Sequence, residues 1–282
     1  PFSDRLEEFI RAARDGHAAV VAHLIAAGGV DVNYIKEAIG QEETYGAIHY
    51  AACNGDLVLL HQLLATENVE IDLLTRADYS MIHNIGCGEP CDDKTALHIA
   101  SYEGHLECVQ SLIEAGADVE QVTVLGYTPL LMAIDGEARR KHERKAANLA
   151  PALNEDHGST AAEDCAGKDF CSLEAVVRTL LDAGSDPNVP FENKDSCLHK
   201  VVRMDLPDVL ERLVKGNADI NHQGRLRRTP LHIAMEDGHT HCTRLLLQAK
   251  ADLGLLDFYS KTPLAYASSD LMQVLQGDGL LF

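Results

Sequence analysis

The chain has 282 residues, a formal net charge of −20 and a pI near 5.0. Such a field repels nucleic-acid phosphates and anionic lipid headgroups, so neither is an expected partner. No apolar run approaches the roughly 18 residues of a membrane-spanning helix. Trp is absent and aromatic residues are sparse, so the apolar content is mainly Ala, Leu, Val and Ile, which suits small interlocking helices.

In chain order, the first predicted helix runs from Ser3 to Ala13. It carries charge at Asp4, Arg5, Glu7, Glu8 and Arg11, as the solvated end of a repeat stack requires. Asp15-Gly16-His17 and Gly28-Gly29-Val30-Asp31-Val32-Asn33 follow as turns. Beyond them the chain repeats itself. Gly46-Ala47-Ile48-His49-Tyr50-Ala51 is a weak copy of a phrase that returns as Thr95-Ala96-Leu97-His98-Ile99-Ala100 and Thr128-Pro129-Leu130-Leu131-Met132-Ala133. It returns again as Ser196-Cys197-Leu198-His199-Lys200-Val201, Thr229-Pro230-Leu231-His232-Ile233-Ala234 and Thr262-Pro263-Leu264-Ala265-Tyr266-Ala267. Thr95 to Thr128, Ser196 to Thr229 and Thr229 to Thr262 are each 33 residues. Gly46 to Thr95 is 49 and Thr128 to Ser196 is 68, each one period with an insertion. A fixed period of this size marks a stack of supersecondary units.

Each part of the phrase has a physical role. Thr caps a helix, its hydroxyl accepting from a first-turn amide. Pro at the first helical position brings a preset φ where no amide donor is needed. Gly104-His105 and Gly238-His239 lie nine residues after the Thr, where Gly ends the first helix in a left-handed turn. A second apolar helix follows at Cys108 to Ile113, Val176 to Leu181 and Thr243 to Leu247. The turns Gly116-Ala117-Asp118-Val119 and Gly184-Ser185-Asp186-Pro187-Asn188 then lead into the next hairpin.

This phrase set resembles the ankyrin-repeat family over nearly the whole chain. The resemblance implies an all-α solenoid of about seven helix-turn-helix repeats with β-hairpin fingers. It also implies one domain over residues 1–282, with two insertions at roughly 73–89 and 136–171. The family's Gly two residues before the Thr is present at Gly126; Asp93, Lys194, Arg227 and Ser260 stand at the equivalent places. A side chain there costs stability if φ is positive, least for Asp. His49, His98, His199 and His232 share one repeat position, where the family uses His to lock the turn by hydrogen bonding.

The first insertion holds His83, Cys87 and Cys91, which can supply three zinc ligands; the expectation is no metal and a Gly-rich finger with free thiols, with these three as the candidate ligands otherwise. The second begins with the helix-prone, basic Glu137 to Ala147 stretch, which extends the preceding helix, either to contact a partner's acidic groups or as a solvated face. His157, Cys165 and Cys171 form a weaker metal pattern there.

By position, the family's binding face falls on Lys94, Tyr102, Leu125, Tyr127, Asp195, Arg203, Met204, Arg225, Leu226, Arg228, Phe258 and Tyr259. Leu125, Tyr127, Leu226, Phe258 and Tyr259 are expected as exposed tips, or as packing between neighbouring fingers. Arg203, Arg225 and Arg228 concentrate positive charge in an acidic chain. No phosphate-cradling Gly loop, H-E-x-x-H or G-x-S-x-G is present. The expectation is a monomeric, non-catalytic scaffold or adaptor without a cofactor, which takes an acidic segment of another protein in its concave groove. The alternative is a regulatory or targeting module of a larger protein, since the chain starts at Pro1 and ends on an apolar stretch. Eight Cys without a signal peptide are read as thiols in a reducing setting, cytoplasmic or nuclear.

Overall fold

The computed structural model describes residues 2–35, 45–75, 93–149, 172–191 and 194–280, without the side chains of 2, 3, 142–149 and 172. Their contacts divide the chain into two compact units, Pro1–Ala183 and Gly184–Phe282. Among the described residues there are thirteen α-helices and no strand.

The first unit holds four helix pairs. These are α1 (Phe2–Arg14) with α2 (Ala18–Ala26), α3 (Ala47–Asn54) with α4 (Leu57–Leu64), α5 (Ala96–Glu103) with α6 (Leu106–Glu114), and α7 (Pro129–Leu149) with α8 (Ser172–Asp182). Its core is a line of Phe9, Ile48, Leu59, Leu60, Leu63, Leu97, Leu112, Leu130 and Leu180, all fully buried. On α1, Leu6, Phe9, Ile10 and Ala13 turn inward while Asp4, Arg5, Glu7, Glu8 and Arg11 stay exposed, so one face of the end helix is solvated as expected.

The second unit stacks α9 (Cys197–Arg203) with α10 (Pro207–Lys215) and α11 (Pro230–Glu236) with α12 (Thr240–Gln248). It ends with a short 3-10 turn, Pro263–Tyr266, before α13 (Ser269–Gly277). The seventh repeat therefore lacks a full first helix. Thr95 and Thr229 accept a bond from the third residue of their helices, whereas the Thr262 side chain makes no such bond.

Fingers are tight hairpins and not strand pairs. In four of them the first residue's amide donates to the carbonyl four residues on: Thr123 to Tyr127, Phe191 to Asp195, Gly224 to Arg228 and Asp257 to Lys261, at 2.9–3.0 Å. The fourth residue of each closes the turn in the left-handed region: Gly126 (φ 80°), Lys194 (68°), Arg227 (55°) and Ser260 (58°). Asp93 is also positive at 41°. The cost foreseen for side chains at these places is thus present, about 1 kcal/mol or more each. Ser260→Gly and Lys250→Gly, the latter at φ 69° after α12, are each expected to raise the urea midpoint of the protein by about 1 kcal/mol equivalent. An unchanged or lower midpoint would show that the strain is relieved elsewhere.

On either side of the first insertion, Thr75 N donates to Lys94 O at 2.9 Å and Lys94 N to Thr75 Oγ1 at 2.9 Å, so these two described flanks form a paired finger stem. His83, Cys87 and Cys91 lie outside the described residues, as do His157, Cys165 and Cys171. Of the second insertion, the first part continues α7 to Leu149. The reason is legible at one position. Nine residues after the cap, Gly55, Gly104, Asp205 and Gly238 all turn left-handed and end their helices. At the matching place α7 has Glu137, followed by Ala, Arg and Lys, so nothing stops the helix.

Candidate functional site

The four repeat histidines are structural. In His49, His98, His199 and His232, Nδ1 accepts from the backbone amide of the cap residue (Gly46, Thr95, Ser196, Thr229) at 3.0–3.2 Å. That assigns the ring proton to Nε2, which donates onward to Leu73 O, Tyr127 O, Arg228 O and Lys261 O at 2.8–3.2 Å. Each ring thus ties its own helix cap to the segment leading into the next repeat. Burial lowers the pKa of His49, His98 and His199 to about 4, and also lowers that of His232. Neutral, doubly bonded and buried, these rings offer no free nitrogen for chemistry. Asn side chains join the hairpins outside the helices in a similar way: Asn33 Oδ1 accepts from Glu70 N at 2.8 Å, Asn188 Oδ1 from Asp219 N at 2.7 Å and Asn221 Oδ1 from Asp252 N at 2.9 Å.

The residues expected on the binding face divide sharply. In the first unit Leu125 and Val124 are exposed, but Tyr127 is buried and is not an exposed tip. It occupies the last position of its finger, where its carbonyl meets His98. Lys94 is buried too, as the residue that closes the finger stem. Tyr102 is half-buried beneath the extension of α7: Arg139 lies 6.0 Å over its ring, and Arg140 Nη1 donates to its carbonyl at 2.8 Å. Gly136 lets the two helices meet, because a Cβ there would collide with the Tyr102 carbonyl oxygen.

In the second unit Asp195 is buried, and it organises its neighbours. Its Oδ2 takes a 2.7 Å ion pair from Arg203, and its Oδ1 accepts from Arg225 N at 2.8 Å. Gly224 lies against it so closely that a Cβ would overlap the carboxylate. Arg228 is also engaged, 2.6 Å from Glu236, and its guanidinium stacks 4.8 Å from the Tyr266 ring. Asp257 beneath it is buried. Burial works against its charged form, but bonds from the Tyr266 hydroxyl and the Lys261 and Tyr259 amides outweigh that and lower its pKa. Two of the three expected arginines therefore hold internal ion pairs and are not free contacts. Arg225 points its side chain to solvent.

The exposed remainder clusters at two adjacent finger tips: Arg225, Leu226, Phe258 and Tyr259, with Lys261 nearby. Met204 is half-buried at the end of α9. Arg227, also exposed, belongs to this cluster too, although its place at the family's Gly position reads from the sequence as a backbone site. Among the described residues, no group of three or more His, Cys, Asp or Glu is arranged to hold a metal ion. No helix among them is long and apolar enough to cross a membrane.

Comparison with known proteins agrees with this architecture. The chain is 25% identical over 238 residues to human transient receptor potential cation channel subfamily A member 1, a match covering 78% of this chain and 20% of that protein. It is 29% identical over 164 residues to the E3 ubiquitin-protein ligase KEG of Arabidopsis thaliana, covering 55% of this chain and 10% of the ligase. It is 25% identical over 232 residues to the ankyrin repeat protein nuc-2 of Neurospora crassa, covering 80% and 17%. The chain thus spans a fifth or less of the length of these curated relatives. Among solved structures, the ankyrin repeat domain of Bcl-3 superposes with a TM-score of 0.68 at 19% identity, over 95% of this chain and 97% of that one. The human ASB11 ankyrin repeat domain gives 0.64 at 20% identity, over 95% and 96%. At such identities these two speak for the fold alone. A family model described as ankyrin repeats (3 copies) matches residues 9–123, 48–143 and 198–276, together well over half of the chain, which therefore belongs to the ankyrin-repeat family.

Proposed function

We propose that the chain is a non-catalytic protein-interaction module, a scaffold or adaptor, that takes an acidic segment of a partner protein on the exposed finger tips of the Gly184–Phe282 unit. Ankyrin repeats are generally protein-interaction modules. The observation that carries the finer reading is one of sign: Arg225, Arg227 and Lys261 are exposed on the fingers of a chain whose net charge is −20. Leu226, Phe258 and Tyr259 stand exposed among them, and arginine and aromatic side chains are frequent interface anchors. The repeat histidines are committed to hydrogen bonds within the fold.

A second reading is supported by coverage. Because the chain matches a small share of each relative's length, it serves equally as the recognition module of a larger protein whose activity lies in other domains. In both readings it works as a monomer inside the cell, without nucleic acid or membrane.

The test compares proteins captured from cell lysate by the wild type and by Arg225→Glu/Arg227→Glu. These two arginines are chosen because Arg203 and Arg228 support the fold through Asp195 and Glu236. A specific partner is expected to fall about tenfold or more in the variant, with the melting temperature unchanged. Equal capture by both proteins would refute the assignment to this unit's tips.

A further inference from the structure

One finger differs in its backbone from the two others that are described throughout. Those two, closed at Thr123–Tyr127 and Asp257–Lys261, use a single left-handed residue in fourth place: Gly126 and Ser260. The finger closed at Gly224–Arg228 uses two in succession, Leu226 at φ 58° and Arg227 at φ 55°. Neither residue type favours that region, and the additional one, Leu226 in third place, has no left-handed counterpart at Leu125 or Tyr259. Strain of this kind persists where surrounding bonds hold it in place, and it gathers at working surfaces.

The holding bonds are visible. Leu226 O accepts from Phe258 N of the next finger at 2.8 Å. Gln223 Nε2 donates to both Arg227 O and Leu256 O at 3.0 Å. The two tips are thereby joined into one platform. Leu226 is 39% exposed on it, Phe258 67% and Tyr259 57%, and the last two rings meet edge to face at 5.5 Å. Arg225 and Arg227 flank Leu226 in sequence. Both are exposed, and neither side chain forms an ion pair among the described residues, in contrast to Arg203 and Arg228.

We infer that this platform is a pre-organised anchor for a linear acidic segment, in which one apolar side chain rests on Leu226 and Phe258 while flanking carboxylates pair with Arg225 and Arg227. This deepens the interaction reading above and rests on it. The occupant is argued from complementarity. Two free guanidinium groups around an apolar centre select carboxylates around an apolar residue, and the acidic remainder of the chain repels other anionic surfaces. Holding the tip rigid before binding lowers the ordering cost of the complex.

The test pans a phage library of random dodecapeptides on the wild type, on Arg225→Glu/Arg227→Glu and on Leu226→Gly. The expected consensus on the wild type is an aliphatic or aromatic residue between Asp or Glu residues. A synthetic peptide of that consensus is expected to bind both variants about tenfold or more weakly. Leu226→Gly removes an exposed side chain and a left-handed leucine, so it is expected to melt no lower than the wild type; weaker binding by it reports the anchor and not the fold. Several results overturn the inference: no enrichment, a consensus without acidic residues, or equal peptide binding by Leu226→Gly. So does tip-dependent sedimentation with phosphatidylserine vesicles, or tip-dependent dimerisation in place of peptide binding. Lysate capture by the same variants separates the two proposals. A partner kept by Leu226→Gly alongside an unselective library removes the anchor and leaves the module, whereas no partner for any form removes both.

Discussion

Gly136→Ala is expected to destabilise the Pro1–Ala183 unit by about 3 kcal/mol or more. In an ordinary helix interior the same change gains about 1 kcal/mol, because Ala is the better helix former. Here the added Cβ would meet backbone, overlapping the Tyr102 carbonyl oxygen and standing 2.8 Å from its carbon. The clash cannot be relieved by turning a side chain. α7 would have to withdraw from the end of α5, and with it would go the 2.8 Å bond from Arg140 to the same carbonyl. Gly277→Ala at the end of α13 is the control, since a Cβ there meets nothing within 4 Å. Urea unfolding followed by circular dichroism should show an early transition for Gly136→Ala and none for the control. Equal midpoints in the two variants would mean that the approach of α7 to Tyr102 is not as close as described.

The second large effect is a loss of stability in mild acid. His49, His98 and His199 are held neutral in the fold, with pKa values lowered by burial from the ordinary 6.5 to about 4. Below 6.5 the unfolded chain therefore binds protons that the folded one does not. The stabilisation by each neutral ring is complete above pH 6.5 and is lost as pH falls toward 4. A difference of two to three units corresponds to about 3 kcal/mol for each ring over that window. Protonation would also place a hydrogen on Nδ1, against the cap amide that now donates to it. Urea midpoints measured from pH 7 to pH 4 should fall steeply below 6.5. In His98→Gln the amide side chain can reach back to the Thr95 amide as a capping-box residue does, but it does not titrate. That variant should be weaker at pH 7, through loss of the Tyr127 bond, and its dependence on pH should be shallower. An unchanged slope would remove His98 from the acid response.

These two predictions draw on different kinds of information. The role of His98 is written in the order of residues around it. The Thr, the His three places later and the 33-residue return of the pair are local facts. Caps, left-handed turns and buried helix faces depend on residues a few places apart. So the all-α repeat architecture, the lock histidines and the strained finger positions at Lys194, Arg227 and Ser260 could be read from sequence before any packing was known. The exposed tips Leu226, Phe258 and Tyr259 were legible for the same reason, since a position within a finger is set by counting from the cap.

Packing between repeats decided the rest, because it depends on distances across the stack that no local pattern encodes. Tyr127 and Lys94 belong to fingers by position, yet both are buried. Arg203 and Arg228 look like free charges in a list of residues, but Asp195 and Glu236 stand within 2.7 Å and 2.6 Å of them. The continuation of α7 could be expected from its helix-forming residues, whereas the reason Gly136 must be glycine appears only where Tyr102 of the preceding repeat meets it. Sequence alone therefore determined the repeat and its caps, through interactions between near neighbours in the chain. Tertiary structure decided which charges and rings remain available to a partner, because availability is what is left after each repeat has closed on the next.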